Sequence, residues 1–155
     1  MHRFLTAIFS VAGLFGMLAM AVAAGSHTPD QAKALVEKAA QYLKSEGKEK
    51  ALAAFSDPNG EFVDGDLYLA VIDANDGKLT MLAHGANKGL IGKPQIDLKD
   101  AEGRAFIREL AATMANATET WDSYAWPNPT TKKIAKKKTY WLKVGDVFIG
   151  AGVYE

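Results

Sequence analysis

The chain reads as an α+β domain: one antiparallel sheet, a long N-terminal helix against one face, and a second helix plus loops over the other. Three observations carry that reading. Apolar residues recur at helical spacing between 29 and 46, two alternating apolar runs flank an Asp-Gly turn at 76–77, and three strand-like runs with short connections fill 119–154. Five strands leave too few edges to close a sandwich, so a single sheet is expected.

The first helix has its start written into it. Thr28 is the cap, Pro29 takes the first helical position, Asp30 lies in the first turn, and Gln31 stands three residues after the cap. Ala32, Leu35, Val36, Ala39 and Leu43 then mark one face of a helix over about 29–46. Gly47 interrupts it, and a shorter helix follows in KEKALAAFSD before Pro58, Asn59 and Gly60 end it. From Asp66 the period changes to two: DLYLAVIDA, a turn at Asn75, Asp76 and Gly77, then KLTMLAH. A glycine-rich loop leads through Pro94 to a helix predicted over about 100–116, with Asp100 as its cap and Phe106, Ile107, Leu110 and Met114 on one side. Strands are predicted at 119–126, 137–144 and 146–154, the last two turning at Gly145.

Residues 1–24 differ in kind from the rest: His2 and Arg3, an almost uncharged run, then small residues at Ala19, Ala21, Ala23 and Ala24. That is the layout of a signal peptide, with cleavage between Val22 and Ser26, export to the periplasm or beyond, and 25–155 as a single domain. An uncleaved membrane anchor is the competing reading, since about twenty apolar residues also span a bilayer. Removing the leader takes Arg3 and leaves 17 basic against 18 acidic residues. A balanced charge argues against nucleic acid as the partner. The chain has no cysteine, which excludes a disulfide framework and thiol chemistry. A domain of about 130 residues buries enough surface to fold without crosslinks.

The last third concentrates aromatic surface in Trp121, Tyr124, Trp126, Tyr140, Trp141 and Phe148, with lysines at 132, 133, 136, 137 and 138. Amphipathic rings next to cations suit a small anionic guest. Read together, MLAHGANKGLIGKPQIDLKDAEGRAFIREL (81–110), WDSYAWPNP (121–129), KKTY (137–140) and VFIGAGVYE (147–155) resemble the single Cache domain, an extracytoplasmic sensing module with a PAS-like sheet. The resemblance implies a five- to six-stranded antiparallel sheet with a small-molecule pocket on the face away from the first helix. It also implies a ligand that is a small organic acid or an amino acid. Family members usually form the outer part of a chemoreceptor or kinase. This chain is expected to be a stand-alone secreted member, passing occupancy to a membrane receptor, kinase or transporter.

The candidate ligand contacts are Tyr124, Trp126, Lys137, Tyr140 and His84. Alternation sends Tyr124 and Trp126 to one face of their strand and Trp121 to the other, where it is expected to pack against the first helix. Lys137 and Tyr140 match the family's Lys-x-x-Tyr pattern, an ammonium for a ligand carboxylate and a hydroxyl beside it. Strict alternation places those two on opposite faces, so their cooperation requires irregular backbone at 137–138. His84 ends a strand beside Gly85. Arg104 reads as surface, and Gly150 and Gly152 either open pocket volume or admit close packing. Asp73, Asn75, Asp76 and Gly77 miss the spacing of a calcium loop, which makes them a turn. No catalytic constellation, metal set or cofactor motif stands out, so no enzyme is expected. The alternative function is a ligand-free interaction module docking onto a membrane-bound signalling or redox complex. Both a monomer and a homodimer are compatible with the sequence.

Overall fold

The computed structural model describes residues 27–155, so the leader reading for 1–24 lies outside the described residues. The chain folds as α1 (Pro29–Glu46), α2 (Lys48–Phe55), β1 (Val63–Asp64), β2 (Leu67–Asp73), β3 (Met81–His84), α3 (Phe106–Met114), β4 (Glu119–Pro127), β5 (Ile134–Val144) and β6 (Val147–Tyr154). The α+β class and the single antiparallel sheet agree with the sequence. The sheet runs β1-β2-β6-β5-β4, and β3 pairs with β2 on the edge that β1 occupies further along.

Both predicted halves of the α1 cap are made. Thr28 Oγ1 accepts from the Gln31 N–H at 3.3 Å, and Gln31 Oε1 accepts from the Thr28 N–H at 2.7 Å. The helix stops at Gly47, whose φ of 83° disfavours any residue with a Cβ. Ala32, Val36 and Ala39 then bury against Leu69, Val71, Ile149 and Ala151 of the sheet, joined by Phe55 and Phe62. On the other face Phe106, Ile107, Leu110 and Met114 of α3 pack with Ile72, Met81, Tyr124, Trp141 and Phe148. The sheet is thus the middle of three layers, and every residue of the central strand β6 is buried.

Two starts differ from the sequence reading, each for a local reason, and one strand is additional. Helix α3 begins at Phe106, not near 100, because Gly103 sits at a φ of 88° and Asp100 caps a turn instead of a helix. The Asp100 carboxylate accepts from the backbone N–H groups of Glu102 and Arg104 and, across to β4, from that of Ala125. Strand β5 starts at Ile134, because Asn128 Oδ1 accepts from Thr130 and Thr131 and closes a tight β4–β5 turn, after which pairing resumes at Pro127↔Ile134. The two-residue β1 is an additional strand beside Leu67 and Tyr68. Asp73 and Asp76 accept backbone N–H bonds from Asn75 and from Lys78 and Leu79, forming the expected turn.

Candidate ligand-binding site

Register decides which side chains meet on the α3 side of the sheet. Lys137 lies directly across from Tyr124 on β4 and from Tyr154 on β6, so all three share that face. A lysine at such a position would ordinarily be blocked by the neighbouring strand. Gly152 removes the block: a Cβ there would come within 2.8 Å of Lys137 Cε. The side chain therefore crosses the sheet to β2, where its ammonium stands 3.6 Å from the centre of the Tyr68 ring and 5.0 Å from that of Tyr154. Lys137 is only 3 % exposed, and among the described residues no carboxylate forms an ion pair with it. Burial pulls its pKa down to about 7, against a smaller upward pull from Asp66.

His84 lies beside it at the end of β3, also 3 % exposed, with its ring 4.9 Å from that of Tyr68. Its Nδ1 accepts from the backbone N–H groups of Ala86 at 3.2 Å and Asn87 at 2.9 Å. Burial and the Lys137 charge lower its pKa to about 3, so the ring is neutral. With Nδ1 accepting, the single ring proton is on Nε2, a donor for whatever enters the site. The hydroxyls beyond form a chain: Tyr68 and Tyr154 hydroxyls are 3.1 Å apart, and Tyr154 donates to the Pro127 carbonyl at 2.8 Å.

Tyr124 stacks on Phe106 with centroids 4.1 Å apart and accepts from Thr139 Oγ1 at 3.0 Å. Trp126 stands edge-on to both rings. These side chains enclose an inner cavity of about 20 Å³, room for a single water, bounded also by Ala70, Met81, Ile107 and Trp141. Tyr68, His84 and Trp126 separate it from an outer cleft of about 240 Å³ walled by Asn87, Asn128 and Lys132.

Four of the five predicted contacts, Tyr124, Trp126, Lys137 and His84, are therefore brought together. Tyr140 is not. Pairing between β4 and β5 is regular from Pro127↔Ile134 to Glu119↔Leu142, so no irregular backbone at 137–138 rescues it, and alternation turns Tyr140 toward α1. There its hydroxyl donates to Glu119 and the Lys33 ammonium lies over its ring. Trp121 keeps to the same face, tilted on Tyr140 and 38 % exposed at the sheet edge instead of buried under the helix. Sequence reasoning missed Tyr68. Alternation in DLYLAVIDA groups Tyr68 with Ala70 and Ile72, but only the pairing of β2 with β6 says which face they take.

Behind the site, Asp66 links it to the start of α1. Its carboxylate bonds the His27 ring at 3.0 Å and accepts from Asn128 Nδ2 at 3.1 Å, while Asp64 holds the other His27 nitrogen at 3.1 Å. Arg104 is more than surface: it donates to the Ser123 carbonyl and to Asp122 at 2.7 and 2.9 Å, pinning the approach to α3 onto β4.

The fold is similar to that of solved chemosensory and chemotaxis proteins. A Cache chemosensory domain described for its recognition of carboxylic acid superposes with a TM-score of 0.66 at 23 % identity, covering 81 % of this chain and 91 % of that one. A methyl-accepting chemotaxis protein from Vibrio parahaemolyticus RIMD 2210633 gives 0.65 at 24 % identity, over 81 % and 86 %. The periplasmic sensor domain of a chemotaxis protein gives 0.61 at 22 %, over 81 % and 88 %. No curated protein matches the chain. The family model of single Cache domain 2 matches residues 5–155, and a match of that length over a sheet of this order, with its pocket on the face away from α1, means that the chain belongs to the single Cache domain 2 family.

Proposed function

We propose that this domain is an extracytoplasmic sensor that captures a short organic carboxylate and passes occupancy to a partner protein. The observation that carries it is Lys137: a buried ammonium without a carboxylate partner among the described residues, beside a neutral histidine with a proton to donate. A buried cation set against aromatic rings, with only the distant pull of Asp66, is stabilised by an anion that brings two oxygens, one for the ammonium and one for His84 Nε2–H. A simple acid suits the site better than an amino acid. An amino acid needs an anion for its own ammonium, and Asp66 is already engaged by His27 and Asn128. The similarity in fold to a Cache domain described for carboxylic acid recognition supports the same reading. Tyr124 and the half-buried Trp126 supply the apolar walls.

The test is a thermal-shift and calorimetric screen of the purified protein against acetate, propionate, pyruvate and lactate. A ligand at a hundred times its dissociation constant adds about 2.7 kcal/mol of stability. The expected result is a rise of several degrees with one or more acids that is absent in a folded K137M protein. No response at millimolar acid from folded wild-type protein sinks the proposal. It would favour a docking module without ligand, the reading to which a cavity the size of one water also points.

A further inference from the structure

The inner cavity is small and its wall is positive. Lys137 is 3 % exposed and lines it, and among the described residues its ammonium has neither an ion pair nor a hydrogen bond. Its contacts are the Tyr68 and Tyr154 rings, with centres 3.6 and 5.0 Å away. Ring faces offset part of the cost of burying a charge, and a counter-ion offsets more.

The lining supplies donors for such an ion and no competing carboxylate. No aspartate or glutamate borders the cavity, and Asp66, whose charge reaches Lys137, is bonded to His27 and Asn128. His84 Nδ1 is taken by two backbone N–H groups, which leaves Nε2–H as its donor. The Tyr124 hydroxyl accepts from Thr139 Oγ1 and keeps its own proton to give. A water in this space needs acceptors for its two protons, whereas the polar side chains around it are mostly donors.

Size narrows the choice of anion. The cavity of about 20 Å³ has room for a single water. A carboxylate, with three heavy atoms in a plane, enters only if the walls part. A halide ion is one atom, slightly larger than that water and with no protons to place.

We propose that the inner cavity is a monatomic-anion site, in which a chloride ion stands against the Lys137 ammonium with His84 Nε2–H and the Tyr124 hydroxyl as further donors. The ion keeps the lysine charged inside the closed domain. This site does not depend on carboxylate capture. On the reading above, an acid takes the ammonium from the ion, so its affinity falls as chloride rises.

The test follows thermal unfolding of the purified protein as sodium chloride replaces sodium sulfate at constant ionic strength, in wild type and in K137M. Sulfate is too large for the cavity, and the general effect of either salt on stability cancels between the two proteins. Above its dissociation constant, chloride should raise the wild-type midpoint relative to K137M by about 5 °C for each tenfold increase. Crystals of the wild-type protein soaked in sodium bromide give a readout that needs no variant: an anomalous peak is expected inside the cavity, beside Lys137 Nζ. Equal chloride responses in the two proteins overturn the proposal, and so does a bromide map without that peak. A peak without the solution response marks an adventitious ion only and overturns it as well. Should K137M not fold, the bromide map decides alone. None of these outcomes bears on carboxylate capture, which the acid screen tests by itself.

Discussion

Lys137 is where a single residue carries the most consequence. In the empty site its pKa is near 7, far below the 10.5 of an exposed lysine, because burial penalises the ammonium. A bound carboxylate favours the charged form and raises that value, so above pH 7 binding must take up a proton. Affinity for a short acid should accordingly be level just below pH 7 and fall about tenfold per pH unit above it, as calorimetry across that range would show. An affinity independent of pH between about 6 and 9 would mean that the ammonium is not the anion's partner. His84 does not blur the measurement, since it stays neutral down to about pH 3. The same shift sets a stability slope in the empty protein. The folded pKa lies below the unfolded one, so this group's penalty is fully present below about pH 7 and fades as the pH climbs toward 10.5. Burying an unpaired lysine is a poor way to stabilise a domain and a good way to hold an anion.

At the scale of elements, the site depends on what β6 leaves out. Gly150 and Gly152 alternate on the face toward α3, the first beneath the Trp141 ring and the second beneath the Lys137 chain. The sequence left open whether these glycines create volume or admit close packing. They admit packing, and it is packing of side chains that line the site. A methyl group at 152 would meet the Lys138 carbonyl oxygen at 2.8 Å, backbone that cannot swing aside, as well as Lys137 Cε. G152A should therefore cost about 1–3 kcal/mol in a urea melt and abolish acid binding even where the protein remains folded. Unaltered binding in G152A would show that the path of Lys137 across the sheet is not needed. Strand β4 solves a different problem, an open sheet edge. Its outward groups at Ser123 and Ala125 are taken by Arg104, Asp100 and Ala101, which blocks that stretch from pairing with another chain.

Across the whole molecule, Asp66 ties the start of α1 to the side of the sheet that carries Lys137. It contacts the first described residue, His27, and the Asn128 turn at the outer cleft, and its charge acts on Lys137. Burial alone would lower the His27 pKa, but hydrogen bonds to Asp64 and Asp66 and their charges outweigh it, and the net shift is upward. A raised histidine pKa contributes stability that is complete below the unfolded value of 6.5 and is lost as the pH rises through the folded value. H27Q should thus destabilise the protein more at about pH 6 than at about pH 8.5, measured by urea denaturation at both. An equal loss at both would mean that His27 acts through shape alone.

The sequence by itself determined the elements and the fold class, because these rest on short-range rules: the Thr28–Gln31 capping box, the stop at Gly47, and the alternation through β2, β4 and β6. It also set Tyr124 beside Trp126, since residues two apart on a strand share a face. Where it misjudged, a long-range bond had overruled a local signal. Asp100 looked like a helix cap, but its second oxygen bonds Ala125, far along the chain, and the helix starts later. Tyr140 looked like a partner of Lys137, and regular pairing with β4 turned it to the other side. Only the tertiary structure could bring Tyr68 under the Lys137 ammonium, fix His84 Nδ1 as an acceptor of two backbone N–H groups and leave the Trp141 N–H unpaired. Each of these depends on which strand lies next to which, and strand neighbours are chosen by the burial of both sheet faces at once, which no local window of sequence contains.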